Sequence, residues 1–351
     1  MLERGKIMKH GVSLLLVFAL AVGIVFPAYA KDAAQTEVQK QTVEVSLDTI
    51  EDIMLTYNLN IKTYLNNLKM AKDNAEDYEG TDYEDYYDNQ YDIAKVQYDE
   101  NVGNMILNAK QSYLAYCADN DRYAAAQAAA QNAEKAYRVA LAALSAGYVS
   151  QAYCDSLKDQ YNQAQNNLTQ LDLQLTRERK SLRTLLNLPS NVNMSIRPVA
   201  EDDIDFSDIS SINYGADLIV MRENSPAIQE AQLAYEYQKS IDYDNSRELN
   251  NAYIAVKQAK ASEEATFKEL YDTLTSMYTV YQQNVEQVQR KQKELDVEKQ
   301  ALALGYSSQK AVDEKESELK SLQSTLADTR KNLFTSYLQY INMKNGFRTG
   351  S

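Results

Sequence analysis

Apolar residues recur along most of this chain at alternating spacings of four and three. Leu157, Tyr161, Ala164, Leu168, Leu171, Leu175, Glu178, Leu182 and Leu185 follow that pattern. A second stretch repeats it as Lys315, Leu319, Leu322, Leu326, Thr329, Leu333, Ser336, Tyr340 and Met343. Two earlier runs keep the same spacing. One is Tyr113, Tyr116, Asn120, Tyr123, Gln127, Ala130, Glu134, Tyr137, Leu141 and Leu144. The other is Tyr271, Leu274, Tyr278, Tyr281, Val285, Val288, Gln292, Leu295, Lys299 and Leu302. A sustained 3.5-residue repeat predicts long helices packed as left-handed coiled coils. An ascending arm of about 50 residues would be ~75 Å long. Polar residues such as Glu134, Glu178, Gln292 and Lys299 break the seams, which are therefore either partly wet or turned toward another subunit.

The runs pair around a phrase that occurs twice. Ala143-Leu144-Ser145-Ala146-Gly147-Tyr148-Val149-Ser150-Gln151 is matched, 158 residues on, by Ala301-Leu302-Ala303-Leu304-Gly305-Tyr306-Ser307-Ser308-Gln309. The same offset carries Val139 to Val297, Asp155 to Asp313, Leu168 to Leu326 and Leu175 to Leu333. A tight turn between antiparallel helices favours a residue with positive φ, which glycine accepts without steric cost. The chain is thus two copies of a helix–Gly turn–helix unit, each apolar along one stripe and in need of a neighbour.

A shorter helix precedes each hairpin. The first begins near Ser46-Leu47-Asp48 and carries Ile50, Ile53, Met54 and Tyr57 before Asn58. The second runs from about Ala216 through Leu218, Ile219 and Met221 to Asn224-Ser225-Pro226, and continues as Ala227-Ile228-Gln229. Between the copies, Pro189 and Pro198 bracket Val192, Met194 and Ile196, which alternate as in a short strand. Proline is otherwise absent from Ala28 to Leu188 and from Ala227 onward, as a helical chain requires. The expected class is all-α, with two tandem long antiparallel coiled-coil hairpins, shorter flanking helices and little or no β structure. The expected divisions are a signal peptide over 1–30, a flexible segment over 31–45, repeat 1 over 46–188, a linker over 189–215, repeat 2 over 216–346 and a tail over 347–351.

The first thirty residues read as an export signal. Arg4, Lys6 and Lys9 open it, Val12 to Phe26 is its apolar run, and Ala28-Tyr29-Ala30 is a small-x-small cleavage site. Met8 is an alternative start, and an uncleaved anchor is the alternative fate. Cleavage would carry the formal net charge from −14 to −16 and remove His10, the only histidine. That excludes a histidine metal site, a histidine base and a Ser-His-Asp arrangement, and argues against a basic nucleic-acid face. No cofactor or metal is expected. Cys117 and Cys154 would lie ~35 Å apart along a hairpin at ~1.5 Å per residue, far beyond the ~7 Å that a disulfide tolerates. They are expected as half-buried thiols acting as small hydrophobes.

From Glu76 to Glu100 the composition shifts to ten acidic residues, six tyrosines and one basic residue, Lys95. Gly80 marks a turn there. Two readings stand side by side: a solvated acidic loop joining two helices, or a site for a cation or a partner.

Three phrases resemble the TolC-like outer-membrane efflux proteins. They are Ala146-Gly147-Tyr148-Val149-Ser150 with its long helix ending Leu185-Leu186-Asn187-Leu188-Pro189, the duplicate around Leu304-Gly305-Tyr306-Ser307-Ser308, and the helix start Asn224-Ser225-Pro226-Ala227-Ile228. The likeness covers nearly the whole chain after the signal. It implies a homotrimer of two-repeat protomers forming a hollow helical cylinder. It also implies tips at Gly147, Tyr148, Val149 and Ser150, and at Gly305, Tyr306, Ser307 and Ser308, that meet a periplasmic adaptor protein with a helical hairpin and its pump. Family members insert a membrane strand pair at sites corresponding here to Ala75–Tyr91 and Ser240–Asn251. Neither stretch shows the ~9–11-residue alternation that a barrel strand requires, so direct bilayer insertion is not expected. Cell-envelope localisation follows from the signal, with the outer membrane, the periplasm or the cell surface as the options. The family's acid six residues after the tip glycine falls here on Tyr153 and Ala311. Asp155, Asp313 and Glu314 are the candidates for an acidic ring, with solvated tip charges as the alternative. Beside the conduit stands a second reading, an exported structural or scaffold coiled coil. A third reading, an enzyme, has little support, since the sequence shows no nucleophile–base set and no Gly-rich phosphate loop.

Overall fold

A 3.5-residue repeat is satisfied only when two helices run side by side, and the chain meets that demand twice. The structure, a computed structural model, describes residues 42–199, 206–241 and 247–347, all within one compact unit. In chain order the elements are β1 (Thr42–Val45), α1 (Ile50–Tyr57), α2 (Leu59–Asp77), α3 (Glu84–Ser145), α4 (Gln151–Leu185), β2 (Asn193–Ile196), α5 (Ser207–Ser210), α6 (Tyr214–Asn224), α7 (Pro226–Ile241), α8 (Arg247–Ala303) and α9 (Gln309–Lys344). The signal segment, the cleavage site and the tail beyond Phe347 lie outside the described residues.

α3 and α8, of 62 and 57 residues, are ~93 and ~86 Å long at 1.5 Å per residue. Each is the spine of its repeat. α3 pairs with α2 and then with α4, and α8 pairs with α7 and then with α9. The repeats join where α3 packs against α7 and α9.

The descending seams follow the sequence pattern: every α4 and α9 position in that register is buried or half-buried. The ascending seams differ from expectation at their polar or bulky positions. Gln127 and Leu141 are exposed, while their neighbours Ala126 and Ala140 are buried. Gln292 and Lys299 are exposed, and Lys291 and Glu298 are half-buried instead. The cause is local. A small alanine lets α4 approach closely, so hairpin 1 turns its alanines inward and leaves Leu141 and Val139 outside. In hairpin 2 the charged positions become a ladder: Lys291 lies 3.2 Å from Glu318, Lys315 lies 3.2 Å from Glu294 and Lys299 lies 2.9 Å from Glu316. These exposed pairs set register more than stability.

The segment 31–45 was expected to be flexible, yet its last four residues form β1. It pairs in parallel with β2, Val43 opposite Met194 and Val45 opposite Ile196. The alternation of Val192, Met194 and Ile196 does make a strand, with Val192 and Met194 buried. Arg179 and Arg183 of α4 donate to the carbonyls of Met194 and Val192 at 2.6 Å each, and Tyr113 donates to Arg197 O at 2.6 Å. These bonds satisfy backbone groups that a short two-stranded sheet leaves open. Val45, Leu182, Leu186, Met194, Phe206, Phe267, Leu333 and Tyr340 belong to the main core beneath it.

Both repeats close in the same way. Asn58 interrupts α1 and α2. Its Oδ1 accepts from Asn60 N and Ile61 N at 2.9 and 3.2 Å, capping α2, and its Nδ2 donates to Leu185 O at the end of α4, at 2.9 Å. In repeat 2 the work is divided. Pro226 opens α7 as a first-turn proline does, while Asn224 Nδ2 donates to Lys344 O at the end of α9, at 3.2 Å. That helix ends on Gly346 at φ +93°, where an added Cβ would stand 2.3 Å from Asn224 O. Gly346→Ala should therefore cost at least ~2 kcal/mol through left-handed strain and overlap together. Asn58→Ala should cost about 1–3 kcal/mol through the lost cap and buried bond. Denaturant titration measures both, and a loss below ~0.5 kcal/mol at either site would contradict this account of the clamp.

Candidate functional site

The two tips are built by the same backbone device. At Gly147 φ is +80°; Gly147 N donates to Leu144 O at 3.0 Å and Tyr148 N to Ala143 O at 2.9 Å. At Gly305 φ is +80°; Gly305 N donates to Leu302 O at 3.0 Å and Tyr306 N to Ala301 O at 2.8 Å. This paired bonding ends a helix on a left-handed residue and satisfies its last carbonyls. Ser150 and Ser308 then start the descending helices by accepting from Tyr153 N and Ala311 N, each at 3.3 Å. A helix end, one Gly-Tyr pair and a serine cap thus reverse the chain within a few residues.

What the tips present is aromatic. Tyr148 and Tyr306 are 84% and 85% exposed. Val149 and Ser307 are half-buried, and Ser150 and Ser308 are exposed. Ser307 donates to Glu298 across the turn. Beneath tip 2, Val312 packs with Leu295 and Leu319. The same 158-residue offset places Cys154 on Val312, and Cys154 is 1% exposed. Both thiols are free and more buried than expected, and burial pushes Cys117 up to about 11.

The candidate acidic ring is not assembled within the protomer. Asp155 accepts from Gln151 at 2.9 Å and Asp313 from Gln309 at 2.8 Å, each along its own exposed helix face, and Glu314 lies 3.7 Å from Lys310. Among the described residues no group of His, Cys, Asp and Glu has the arrangement of a metal site.

At the opposite end the acidic stretch is mostly helix, not loop. Only Tyr78–Tyr83 leave helical geometry, because Glu84 Oε2 accepts from Gly80 N at 2.7 Å and starts α3 at once. Tyr78 stacks on Tyr87 at 4.0 Å, and Tyr86 reaches Tyr237 of α7 at 5.9 Å. Asn89 Nδ2 donates to Leu233 O at 3.0 Å. The tyrosines therefore fasten the two repeats together at this end. Only five residues separate α7 from α8, and β1 and β2 are the only strands among the described residues. No helix there is long and apolar enough to cross a membrane.

No model of a known protein family and no curated protein matches the chain. Solved structures do. The CmeC outer membrane channel of Campylobacter jejuni superposes with a TM-score of 0.62 at 12% identity, over 94% of this chain and 95% of that one. The outer membrane protein VceC of Vibrio cholerae gives 0.61 at 10% identity, over 86% and 96%. CusC gives 0.60 at 13% identity, over 91% and 99%. This is the TolC-like channel fold. At these identities the likeness is one of architecture, and the tip phrases quoted above mark the two turns of that architecture.

Polar side chains on three helices find one another where the seams are broken. Asp119, Arg122, Gln174, Glu178 and Asp328 meet between α3, α4 and α9. Only Glu178 was visible as an interruption, since pairing between helices 200 residues apart has no local signal.

Gly147→Val and Gly305→Val should each cost about 1–2 kcal/mol, by forcing a β-branched residue into left-handed geometry where space is open but φ is not. Ser150→Ala and Ser308→Ala should cost ~1 kcal/mol each. Cys117 should resist alkylation at pH 8 until the chain unfolds, because both burial and its raised pKa withhold the thiolate. Rapid native-state labelling of Cys117 would overturn its placement.

Proposed function

We propose that this chain is a helical conduit component of an envelope export system, assembling with copies of itself and docking a helical-hairpin adaptor through its tips. The observation that carries this reading is the pair of equivalent tips, each ending in a fully projected tyrosine, on a fold shared with outer membrane channels. A hydroxyl-bearing aromatic beside a serine cap offers a small amphipathic patch suited to a helix pair.

Self-association has its own support. Val139, Val297, Leu173, Leu141 and Val280 are all exposed along the long helices. Apolar groups lined up on a coiled-coil surface are covered by further helices. A trimer of two-repeat protomers would close such helices into a cylinder, and Asp155, Asp313 and Glu314 of three copies would then share its narrow end.

One observation favours a second reading. A six-residue turn stands at the first site where the family's strand pair is expected, Tyr78–Tyr83 between α2 and α3. A scaffold or spacer in the envelope needs no barrel and no adaptor. In either reading the chemistry is that of binding and not of catalysis.

The chain without its signal should sediment as a trimer at micromolar concentration. Tyr148→Ala/Tyr306→Ala should lower capture of a purified helical-hairpin adaptor from the same host at least ~10-fold, as loss of aromatic anchors does. Its melting temperature should be unchanged, since these rings are exposed. A monomer, or undiminished capture by the double variant, favours the spacer.

A further inference from the structure

Between the tips and the main core, α3, α4 and α9 converge on charged side chains that seam packing does not require. Asp119 of α3 is 4% exposed. Its Oδ1 accepts from Arg122 at 2.6 Å, and its Oδ2 accepts from Gln174 Nε2 of α4 at 2.5 Å. Arg122 also donates to Asp328 of α9 at 2.5 Å. Gln174 donates in addition to Glu178 Oε1 at 3.0 Å. The second oxygen, Glu178 Oε2, is buried and has no hydrogen-bond partner.

An ionised carboxylate oxygen buried without a donor is heavily penalised. Arg122 serves Asp119 and Asp328, and Gln174 serves Asp119 and Glu178 Oε1; Lys331 of α9 adds its charge nearby but gives Glu178 Oε2 no hydrogen bond. A protonated Glu178 removes the difficulty, because it then has a hydrogen to give and Asp119 beside it to accept.

The internal repeat supplies an independent comparison. The 158-residue offset carries Asp119 to Met277 and Glu178 to Ser336. In repeat 2 that pair is a hydroxyl donating to a thioether, Ser336 Oγ to Met277 Sδ at 3.1 Å. The contact is thus a neutral donor meeting an acceptor. Repeat 1 places two acids at the same contact, and these become a donor and an acceptor only when one holds a proton.

We propose that Glu178 carries a proton shared with Asp119, and that this proton locks α4 to α3 beside the Arg122–Asp328 bridge to α9, so that hairpin 1 loosens as pH rises. The charges facing Glu178 agree. Asp119 and Arg122 of α3 and Asp328 and Lys331 of α9 balance one another when Glu178 is neutral, while Asp121 of α3 and Arg330 of α9 interact alongside. Burial, followed by the hydrogen bond and charge of Asp119, raises the Glu178 pKa above the ordinary carboxylate value, against the opposing pull of Gln174 and Lys331. A carboxyl whose folded pKa exceeds its unfolded value binds its proton more tightly in the folded chain. Its stabilisation is therefore present at low pH and is lost as pH rises through the folded pKa. The lock does not depend on the conduit reading.

The test is thermal unfolding of the full chain without its signal, from about pH 5 to about pH 8, for wild type, Glu178→Gln and Asp172→Asn, the last an exposed acid on the same helix. Glutamine mimics the protonated form. Glu178→Gln should match wild type at the acid end and melt ~2 °C or more above it at the alkaline end, while Asp172→Asn tracks wild type throughout. A constant offset between Glu178→Gln and wild type across the range overturns the proposal. A second readout stands even if the variant does not fold. With carboxyl-labelled glutamate incorporated, the infrared spectrum of folded wild type should keep a protonated glutamate band above about pH 5, where a free glutamate of pKa ~4.3 is ionised, and lose it on unfolding. Absence of that band in the folded chain also overturns the proposal.

Discussion

Two long helices pack usefully only if their register is held, and this chain holds it at both ends of each hairpin. At the tip, a glycine in left-handed geometry turns the ascending helix into the descending one with no slack. At the other end, an asparagine side chain ties the start of the repeat to the last carbonyls of its final helix, Asn58 to Leu185 and Asn224 to Lys344. A slip of one residue at either point would rotate a whole seam by ~100°. The duplicated sequence therefore preserves the seam positions and the groups that pin them together.

Within that frame the two hairpins use different chemistry for one geometry. Hairpin 1 buries alanines and keeps its helices close. One cluster of its polar side chains lies between helices, around Asp119 and Glu178. Hairpin 2 buries Leu295, Val312 and Leu319 near its tip and runs its charges along the rim as Lys–Glu pairs. Exposed ion pairs contribute little to stability and are screened by salt. The proton proposed at Glu178 would instead make the first hairpin sensitive to pH. The halves of the molecule should thus respond to different solution variables, ionic strength for the second and pH for the first.

The end away from the tips separates fold from function. The channels that share this architecture are outer membrane proteins, and here that end is closed by a short tyrosine-lined turn between α2 and α3. Tyr86 and Tyr237 join the repeats there, with Tyr78 stacked on Tyr87 beside them. A shared architecture constrains how helices pack and leaves open what passes through or docks on them.

The sequence by itself determined the helices, the two turns, the glycines that make them and the short strand around Met194. Each depends on local rules: seam spacing, left-handed φ at Gly147 and Gly305, and strand alternation. It also marked where the seams are interrupted, at Glu134, Glu178, Gln292 and Lys299. Only the tertiary structure decided how the interruptions resolve. Ala126 and Ala140 turn inward because α4 can approach a small side chain. Thr42–Val45 becomes a strand because β2 and two arginines of α4 lie beside it. The acidic stretch becomes helix because Glu84 caps the Gly80 turn and tyrosines bridge to α7. Glu178 acquires its meaning from Asp119, 59 residues earlier in the chain, and from the bridge to Asp328, 150 residues later. Seam periodicity is a property of one helix and can be read along it, whereas burial of a charge depends on which helices arrive around it, and that is settled only when the chain folds.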